Sequence, residues 1–327
     1  MYRIGILIFD SVMQSSITGP YDLFFSASAE WRQLANTEAA LFKVKTVSTG
    51  HTDIRSFNGS RFKADRSIDT DEKYDILFIP VFSGDIDAVL ADQRLIQWLI
   101  EQFRSGACLS AVCAGSFLLA QTGLLDGKQA TTHWQLADPF QARFPRVKLK
   151  KERILIDEGN LITAGGVTAY FDLSLHLVAR FGSRELANRL SRLFLIDSVR
   201  HSQLPYGRFR ANKNHGDSDI LRVQEWIEAH PSQTIGLSRL AEISGLEIRT
   251  LSRRFKKVTG ETPIEYLQQV RVDIARERLL SSRDTIDQIL YQIGYDDSSS
   301  FRKLFKRLTG LSPAAYRKQF SVFAPLD

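Results

Sequence analysis

A cysteine stands where an apolar strand pattern gives way to a helix pattern. Cys113 follows the largely apolar run Leu109–Val112, and Ala114 and Gly115 come directly after it. This arrangement is typical of a nucleophile elbow, which projects a thiol beside the amides of a helix N-terminus. Those amides and the helix dipole lower the pKa of a thiol and can hold an oxyanion. His133, twenty positions later, completes the minimum pair for thiolate chemistry.

The same pair has a plainer interpretation as part of the core. Cysteine is among the most buried residue types, and one cysteine with one histidine is common in a long chain. The spacing therefore leaves a reactive thiol and a structural thiol both open. Cys108 lies five positions before Cys113 in the same predicted unit, so neither a disulfide framework nor a zinc site can be built. We expect a reducing cytoplasm, no metal ion and no cofactor.

Basic side chains indicate a second kind of chemistry, contact with nucleic acid. The stretch from Leu240 to Tyr266 returns fifty positions later, from Leu290 to Tyr316. In each copy a short apolar helix pattern leads through a glycine-containing turn into a basic second helix. The charged residues are Arg249, Arg253, Arg254, Lys256 and Lys257 in the first copy and Arg302, Lys303, Lys306 and Arg307 in the second. One basic helix is usually just solvated, but two copies at a fixed offset predict tandem helix-turn-helix units that read duplex DNA.

Local signals mark the helices that would carry these basic residues. Asp217 and Asp297 have the type and position of N-cap residues, and Gly260 suits a left-handed C-cap. Pro263 then begins a long helix whose apolar pattern runs over 264–280. We expect this helix to be the rigid rod between the two units.

The front of the chain carries a different pattern. Short apolar runs alternate with helix patterns over residues 1–180, which predicts an α/β domain. The near-continuous aliphatic character of these runs suits a parallel sheet with helices on both faces. Helical spacing over 86–103 and 167–181 predicts two of those helices. The expected strands are Ile4–Phe9, Leu41–Val47, Tyr74–Pro80, Ala107–Val112, Ile154–Ile156 and Leu161–Thr163.

Bulk composition is consistent with this division. A chain of 327 residues with 43% hydrophobic content is expected to form about two domains. A formal charge of +6 fits a nucleic-acid partner without requiring one. The N-terminus lacks a basic leader, and no apolar run reaches the length of about 18 residues that spans a bilayer. These features predict a cytoplasmic protein without a membrane partner.

A basic stretch joins the two parts, and we predict an α/β domain over 1–199, a linker over 200–216 and an all-α domain over 217–321. The stretch carries Arg200, Arg208, Arg210 and Lys213 and shows no periodicity. Its charge would either follow the phosphate backbone of DNA or be merely solvated.

Residues 1–185 resemble the ThiJ/PfpI branch of the class I glutamine amidotransferase-like fold. The matching stretches are Ala-Val-Cys-Ala-Gly over 111–115, Thr-Thr-His-Trp over 131–134, Thr-Gly-Pro-Tyr-Asp over 18–22 and Ala-Gly-Gly-Val-Thr over 164–168. The resemblance implies a flavodoxin-like parallel sheet in which Cys113 is the elbow cysteine. It also implies a candidate ligand pocket formed by Ser16, Cys113, Ala114, His133 and Gly166.

The sequence departs from that family at one position. Active members carry an acidic residue shortly before the stretch that matches Thr18-Gly19-Pro20, where this chain has Ser16. A hydroxyl cannot act as a general base at pH 7 as a carboxylate does. We therefore expect no catalytic residue, and a front domain that forms a homodimer and senses an unknown small-molecule effector. The alternatives are a Cys-dependent hydrolase, amidase or hydratase-like enzyme tethered to DNA, and an oxidation sensor at Cys113.

Residues 217–320 resemble the AraC/XylS DNA-binding domain over its whole length, including the signature from Ile293-Gly294-Tyr295 to Phe305. In that family the exposed N-terminal half of each second helix enters the major groove, and successive grooves lie about 34 Å apart. The whole chain resembles the GlxA-like regulators of bacteria, which implies a sequence-specific transcription regulator with RNA polymerase as a further partner. The implied contacts with bases or phosphates are Arg249, Ser252 and Arg253 in the first unit and Ser298, Ser299, Arg302 and Lys303 in the second.

Overall fold

The computed structural model describes residues 1–50, 53–197 and 200–321. Its contacts divide the chain into two compact units, one ending at Gln203 and the next beginning at Leu204. The predicted limits at 199 and 216 remain predictions, and residue 199 itself lies outside the described residues. Among the described residues, no helix is both long enough and apolar enough to cross a bilayer.

The front unit is built on a seven-stranded sheet with the order β10-β11-β7-β6-β1-β2-β5. Neighbouring strands are parallel except β10, which pairs antiparallel with β11 at one edge. Two further pairs, β3 with β4 and β8 with β9, lie outside this sheet. The strands are β1 Tyr2–Ile8, β2 Phe42–Ser48, β3 Asp53–Arg55, β4 Arg61–Lys63, β5 Arg66–Ser67, β6 Ile76–Ile79, β7 Cys108–Val112, β8 Gln129–Ala130, β9 Lys148–Leu149, β10 Leu155–Asp157 and β11 Leu161–Ala164.

The central strands of this sheet are enclosed, as the predicted α/β class requires. Every residue of β6 and β7 is buried, which follows from their aliphatic sequences and from cover on both faces. The register places Ile4 opposite both Val44 and Ile76, so these three residues of β1, β2 and β6 lie side by side across the sheet. The flavodoxin-like parallel sheet is thus confirmed. The strand expected at Ile154–Ile156 is present as β10, but its antiparallel direction was not predicted.

Seven helices and a short 3-10 helix, Trp134–Leu136, accompany the sheet within the described residues. The helix predicted over 86–103 is in fact two helices, because the Asp92 carboxylate accepts hydrogen bonds from the amides of Arg94 and Leu95 and starts a new N-terminus. The helices are α1 Ser15–Leu34, α2 Ile86–Leu90, α3 Gln93–Arg104, α4 Gly115–Gln121, α5 Ala137–Arg143, α6 Ala169–Phe181 and α7 Arg184–Leu193.

The second unit is helical throughout its described elements and contains the tandem repeat. Asp217 and Asp297 cap α8 and α13, Gly260 is left-handed at φ +83°, and Pro263 is the first residue of α11, all as predicted. The helices are α8 Ser218–Ala229, α9 Leu237–Ser244, α10 Ile248–Thr259, α11 Pro263–Ser281, α12 Ile286–Gln292, α13 Ser298–Thr309 and α14 Pro313–Phe320.

Two separate hydrophobic cores lie in this unit, and α11 takes part in both. Its first half contributes Tyr266, Leu267 and Val270 to the core of the first copy. Its second half contributes Val272, Ala275 and Leu279 to the core of the second copy. The long helix is therefore a structural member of both helix-turn-helix units as well as the connection between them.

Candidate nucleic-acid interface and cysteine elbow

The second helix of each copy is called its recognition helix, and in the first copy this is α10. Helix α10 exposes basic residues to solvent because the apolar residues on its opposite face pack into the core. Leu251 and Phe255 are fully buried in the first core. Arg249 and Arg253 are exposed, and within the described part of the chain neither side chain forms a hydrogen bond or an ion pair. Ser252 is half-buried, and its hydroxyl donates to the Ile248 carbonyl at 2.9 Å. Two guanidinium groups are thus available for phosphates or guanine edges.

Arg254, which follows Arg253 directly, has a different role. Its Nε and Nη2 donate to the two carboxylate oxygens of Asp217 at 3.0 and 2.6 Å, and Nη2 also lies 3.1 Å from Asp219 Oδ2. This hydrogen-bonded guanidinium lowers the pKa of Asp217 below its ordinary value. Arg254 therefore ties α10 to the N-terminus of α8, and its charge is engaged within the protein.

The second recognition helix, α13, follows the same plan with different chemistry. Phe301 and Phe305 are buried in the second core. Asp297 caps the helix by accepting from the amides of Ser299 and Ser300 at 2.9 and 3.1 Å. Its predicted contact residues are the exposed Ser299, Arg302 and Lys303 and the half-buried Ser298. This face is richer in hydroxyl groups than that of α10.

Two interactions within the protein orient the Arg302 side chain. Its Nε donates to Ser298 Oγ at 3.1 Å, and its Nη2 lies 3.6 Å from Asp287 on α12. Both side chains of that ion pair are at least half exposed, so the pair is weak and can be exchanged for a base or phosphate. Lys303 forms no side-chain hydrogen bond or ion pair among the described residues.

Ile248, which begins α10, was not among the residues predicted to contact DNA. The offset of fifty that defines the repeat places Ile248 in the position of Ser298, and applying that offset residue by residue would have found it. The side chain is 42% exposed, although isoleucine is among the residue types most often buried. An exposed apolar side chain at this point of a recognition helix suits the methyl group of thymine.

The cysteine elbow has the predicted geometry. Cys113 adopts a left-handed backbone conformation at φ +56°, directly after β7 and directly before α4. Such a conformation is rare for a residue with a side chain and is typical of functional turns. Gly115 permits it, because a Cβ atom there would lie 2.8 Å from the Pro80 carbonyl oxygen and 2.9 Å from that of Ile79. Ala114, between them, is buried.

The thiol in this elbow is shielded. Cys113 is 5% exposed, and burial raises its pKa to about 11, although a hydrogen bond from the Ala114 amide acts in the opposite direction. Burial also raises the pKa of Cys108 to about 11. Both cysteines are therefore neutral thiols near pH 7, and the elbow does not by itself produce a thiolate.

Ser16, which stands where the family carries an acid, has a structural role. Its hydroxyl donates to the Met13 carbonyl at 2.7 Å and accepts from the Val81 amide at 3.1 Å. The residue is fully buried, so it fastens the start of α1 to the end of β6. Asp22 lies on the exposed side of the same helix, since α1 continues through Pro20. Neither side chain hydrogen-bonds to the Cys113 thiol within the described residues.

His133 belongs to the loop that touches the elbow. Its Nδ1 accepts from the Gln135 amide at 3.1 Å and caps the 3-10 helix, and its ring is partly exposed. The preceding residue, Thr132, donates its hydroxyl to the Cys113 carbonyl at 2.7 Å. The described hydrogen bonds therefore connect this loop to the elbow backbone through Thr132, and none of them joins His133 to the thiol.

Gln203, which the sequence analysis placed in the linker, is buried in the front unit. It is 2% exposed. Its Nε2 donates to the carbonyls of Thr132 and Arg153, both at 2.9 Å, and its Oε1 accepts from the Trp134 amide at 3.1 Å. A Cβ atom on Gly165 would lie 2.1 Å from Gln203 Nε2, so the glycine makes room for this amide. Gly166, at φ +95°, follows in the same turn.

A cavity of about 300 Å³ opens beyond the carboxyl ends of β1, β2 and β6. In the sheet order, β1 lies between β2 and β6, so the cavity is at the point where the strand order reverses. This is where doubly wound sheets bind ligands. Cys113 and His133 are not among its lining residues. Those residues are Phe9, Asp10, Ser11, Thr49, Ser83, Asp85, Ala88, Val89, Asp92 and Leu95.

Comparison with protein families agrees with this two-part architecture. Residues 2–180 match the model of the DJ-1/PfpI family, and residues 240–319 match the model of a helix-turn-helix domain. A ThiJ/PfpI family protein from Pseudomonas syringae has a similar fold, with a TM-score of 0.51 and 20% sequence identity over 75% of this chain and 91% of that one.

Two curated proteins illustrate the range of relatives. The HTH-type transcriptional regulator CdhR of Pseudomonas aeruginosa is 29% identical over 304 residues, which cover 92% of this chain and 89% of CdhR. An isonitrile hydratase of Pseudomonas putida is 31% identical over 177 residues, which cover 54% of this chain and 70% of the hydratase. The regulator thus matches nearly the whole chain, whereas the hydratase matches about half of it.

Proposed function

The chain belongs to the DJ-1/PfpI family and carries an AraC-type helix-turn-helix domain after the family's own domain, and from this premise we propose that it is a sequence-specific DNA-binding transcription regulator. The observation that carries the proposal is the pair of recognition helices. Helices α10 and α13 begin fifty residues apart, each anchored by buried apolar residues and each with an exposed basic face. CdhR, similar along nearly the whole chain, is named a transcriptional regulator.

We assign the DNA contacts to the N-terminal halves of the two recognition helices. Exposed guanidinium groups are suited to guanine edges and phosphates, hydroxyl groups to either kind of base edge, and Ile248 to a thymine methyl group. Because Arg254 is engaged with Asp217, it is left out of the contact set. The proposed contacts are Arg249, Ser252 and Arg253 with Ile248 in the first copy, and Ser298, Ser299, Arg302 and Lys303 in the second.

Selection of duplexes from a randomised pool by the full chain tests this function. The wild-type chain is expected to enrich a defined sequence in the presence of competitor DNA. Arg253→Ala should weaken binding to that sequence by about 1–3 kcal/mol and relax the preference at one base position. Arg278→Ala removes an equal charge from an exposed position of α11 and should leave the preference intact. A wild-type chain that enriches no sequence would refute the proposed function.

We further propose that the front unit forms a homodimer and senses a small molecule. The cavity at the carboxyl edge of the sheet is of a size that suits a metabolite, and it supports sensing better than the shielded thiol does. Ser116, one turn beyond the elbow, has a fully buried hydroxyl without a hydrogen-bond partner among the described residues, which is a place for a water or a ligand group. Phe25 on α1 and Leu193 on α7 are exposed on helices that pack together, and Leu195, two residues after α7, is exposed as well, which favours dimerisation.

The second candidate is a Cys-dependent enzyme attached to a DNA reader. It is favoured by the elbow at Cys113 and by the similarity of about half of the chain to an isonitrile hydratase. Against it stand the raised pKa of the thiol and the structural role of Ser16, which occupies the position where active members of the family carry an acid. We therefore place regulation first and assign no catalytic residue.

A further inference from the structure

The two copies of the repeat touch each other at a point outside the helix that connects them. Gly294 lies in the turn between α12 and α13, with φ +73°. A Cβ atom at this position would lie 2.1 Å from the Ser232 carbonyl oxygen and 2.9 Å from Ser232 Cα. Ser232 belongs to the loop over 230–236 between α8 and α9. The turn of the second copy therefore rests directly on the backbone of the first.

Arg271 fastens this contact from the middle of α11. Its Nε donates to the Pro231 carbonyl at 2.7 Å, and its Nη2 donates to the Gln233 carbonyl at 2.8 Å. The same guanidinium lies 5.1 Å from the ring centroid of Tyr295, the residue after Gly294. One side chain thus holds the loop of the first copy by two hydrogen bonds and the turn of the second by a cation–π contact.

A comparison with the first copy shows that the close approach is particular to Gly294. Gly245 occupies the corresponding turn between α9 and α10, and its φ of +70° is nearly the same. A Cβ atom on Gly245 would meet no atom within 4 Å in the described part of the chain. Alanine would therefore strain the backbone equally at both glycines, but only at Gly294 would it push the two copies apart.

The contact matters because a single connecting helix does not fix the distance and rotation between α10 and α13. Long helices bend, so α11 alone would let α13 shift and rotate relative to α10. Major grooves on one face of B-DNA recur every turn, about 34–36 Å or 10–10.5 base pairs, and one added base pair rotates the next groove by about a tenth of a turn. A second point of attachment restricts bending of α11. It therefore holds α10 and α13 at one distance and one relative orientation.

We propose that Arg271 and Gly294 determine which spacing between two base-contact segments the protein accepts, although neither residue belongs to the exposed contact faces. The clamp formed by Arg271, Gly294 and the loop over 230–236 sets the positions of α10 and α13, and so acts on specificity through geometry. The inference rests on the proposed function, since a spacing preference has meaning only for a protein that reads DNA.

The first arm of the test measures the clamp without DNA. Lys256→Cys and Lys306→Cys place spin labels at matching exposed positions of α10 and α13 in the full chain, while the natural cysteines are buried and unlabelled. Double electron–electron resonance should give one narrow distance in this parent and in its Gly245→Ala derivative. Gly294→Ala and Arg271→Met should broaden or shift that distance. Unchanged distances in both of these variants would overturn the clamp.

The second arm measures the spacing preference on duplexes enriched by the wild-type chain, with one base pair added or removed between the two contact segments. Wild type and Gly245→Ala should prefer the selected spacing by about tenfold or more, the scale of losing one recognition helix's base contacts. Gly294→Ala and Arg271→Met should reduce this preference severalfold.

The possible results distinguish a failure of the specificity role from a failure of the proposed function. An undiminished spacing preference in both clamp variants, with a changed label distance, would overturn the role in specificity alone. A wild-type chain that enriches no sequence would overturn the specificity role together with the proposed function, while the distance measurement would still show whether the clamp exists. Because Gly294→Ala could prevent folding, Arg271→Met, which introduces no new contact, decides in that case.

Discussion

Arg253 and Arg254 are neighbours in one helix, yet their side chains do different things. Arg253 points into solvent, whereas Arg254 bonds to Asp217, thirty-seven positions earlier in the chain. Leu251 and Phe255 are four residues apart, and this helical spacing predicts that Arg249 and Arg253 face outward, as they do. It could not predict which exposed charges are already paired, because a partner so distant in sequence is brought near only by the tertiary fold.

The cysteine elbow also shows that local sequence predicts backbone shape but not the tertiary surroundings of a side chain. The run of residue types around Cys113 predicted a sharp strand-to-helix turn, and the left-handed backbone confirms it. Whether the thiol is activated depends on how deeply it is buried and on which groups face it, and these follow from the packing of the whole domain. In the structure the thiol is buried, and the Ser16 hydroxyl bonds to Met13 and Val81.

The Cys113 thiol is therefore expected to be unreactive near neutral pH. Its pKa of about 11 lies above the value of about 8.5 for a free cysteine, because burial favours the neutral form. The folded state thus holds the proton to higher pH than the unfolded chain, so this stabilisation is complete below about pH 8.5 and is lost as pH rises through 11. Alkylation by iodoacetamide, followed by mass spectrometry, should be slow at pH 7 and accelerate towards pH 11.

The control for that measurement is the urea-unfolded chain, in which both cysteines should react at the rate of free thiols. Rapid modification of Cys113 in the folded protein at pH 7, with Cys108 left unmodified, would point to an activated thiolate and would favour the enzyme over the regulator.

Individual elements could be predicted where their signals are local. Caps, left-handed glycines and Pro263 marked the helices of the second unit, since each signal acts within about one turn of its own position. The break between α2 and α3 was missed because apolar spacing continues across it, although Asp92 was there to be read as a cap. Strands of two or three residues, such as β5 and β4, are too short to show any period.

Asp92 offers a test of that cap. Its carboxylate accepts from two amides, and without it the start of α3 would leave these donors to water. Asp92→Ala should lower the free energy of unfolding by about 1 kcal/mol, measured by urea denaturation. Asp22→Ala, a like change on the exposed side of α1, should leave stability nearly unchanged. Equal losses in the two variants would contradict the assignment of Asp92 as the cap.

At the scale of the whole molecule, the sequence predicted two domains of the right classes but not the details of their join. Order in the sheet could not be read from strand patterns, because strand pairing depends on crossover connections and not on local composition. The basic, aperiodic stretch after residue 199 indicated a linker. Gln203 within it is nevertheless built into the front unit, and no periodic signal marks a single buried amide.

Loss of that amide should destabilise the front unit. Gln203→Leu keeps the approximate volume but leaves the carbonyls of Thr132 and Arg153 and the amide of Trp134 without these hydrogen bonds. We expect a loss of about 2–3 kcal/mol in the free energy of unfolding, because several buried hydrogen bonds, each worth about 1 kcal/mol, are removed together. Tryptophan fluorescence during urea unfolding reports the change. Gln135→Leu, at an exposed position in the same loop, is the control, and matching stabilities of the two variants would rule out the anchoring role.

The long helix α11 also bears on how such a protein can change over evolutionary time. Because its two halves serve different cores, a gene that encoded the first copy of the repeat alone would leave Val272, Ala275 and Leu279 uncovered. We therefore expect that neither copy can be exchanged by recombination without the other. New target genes are expected to come under control through substitutions on the exposed faces of α10 and α13, while the shared helix between them changes slowly.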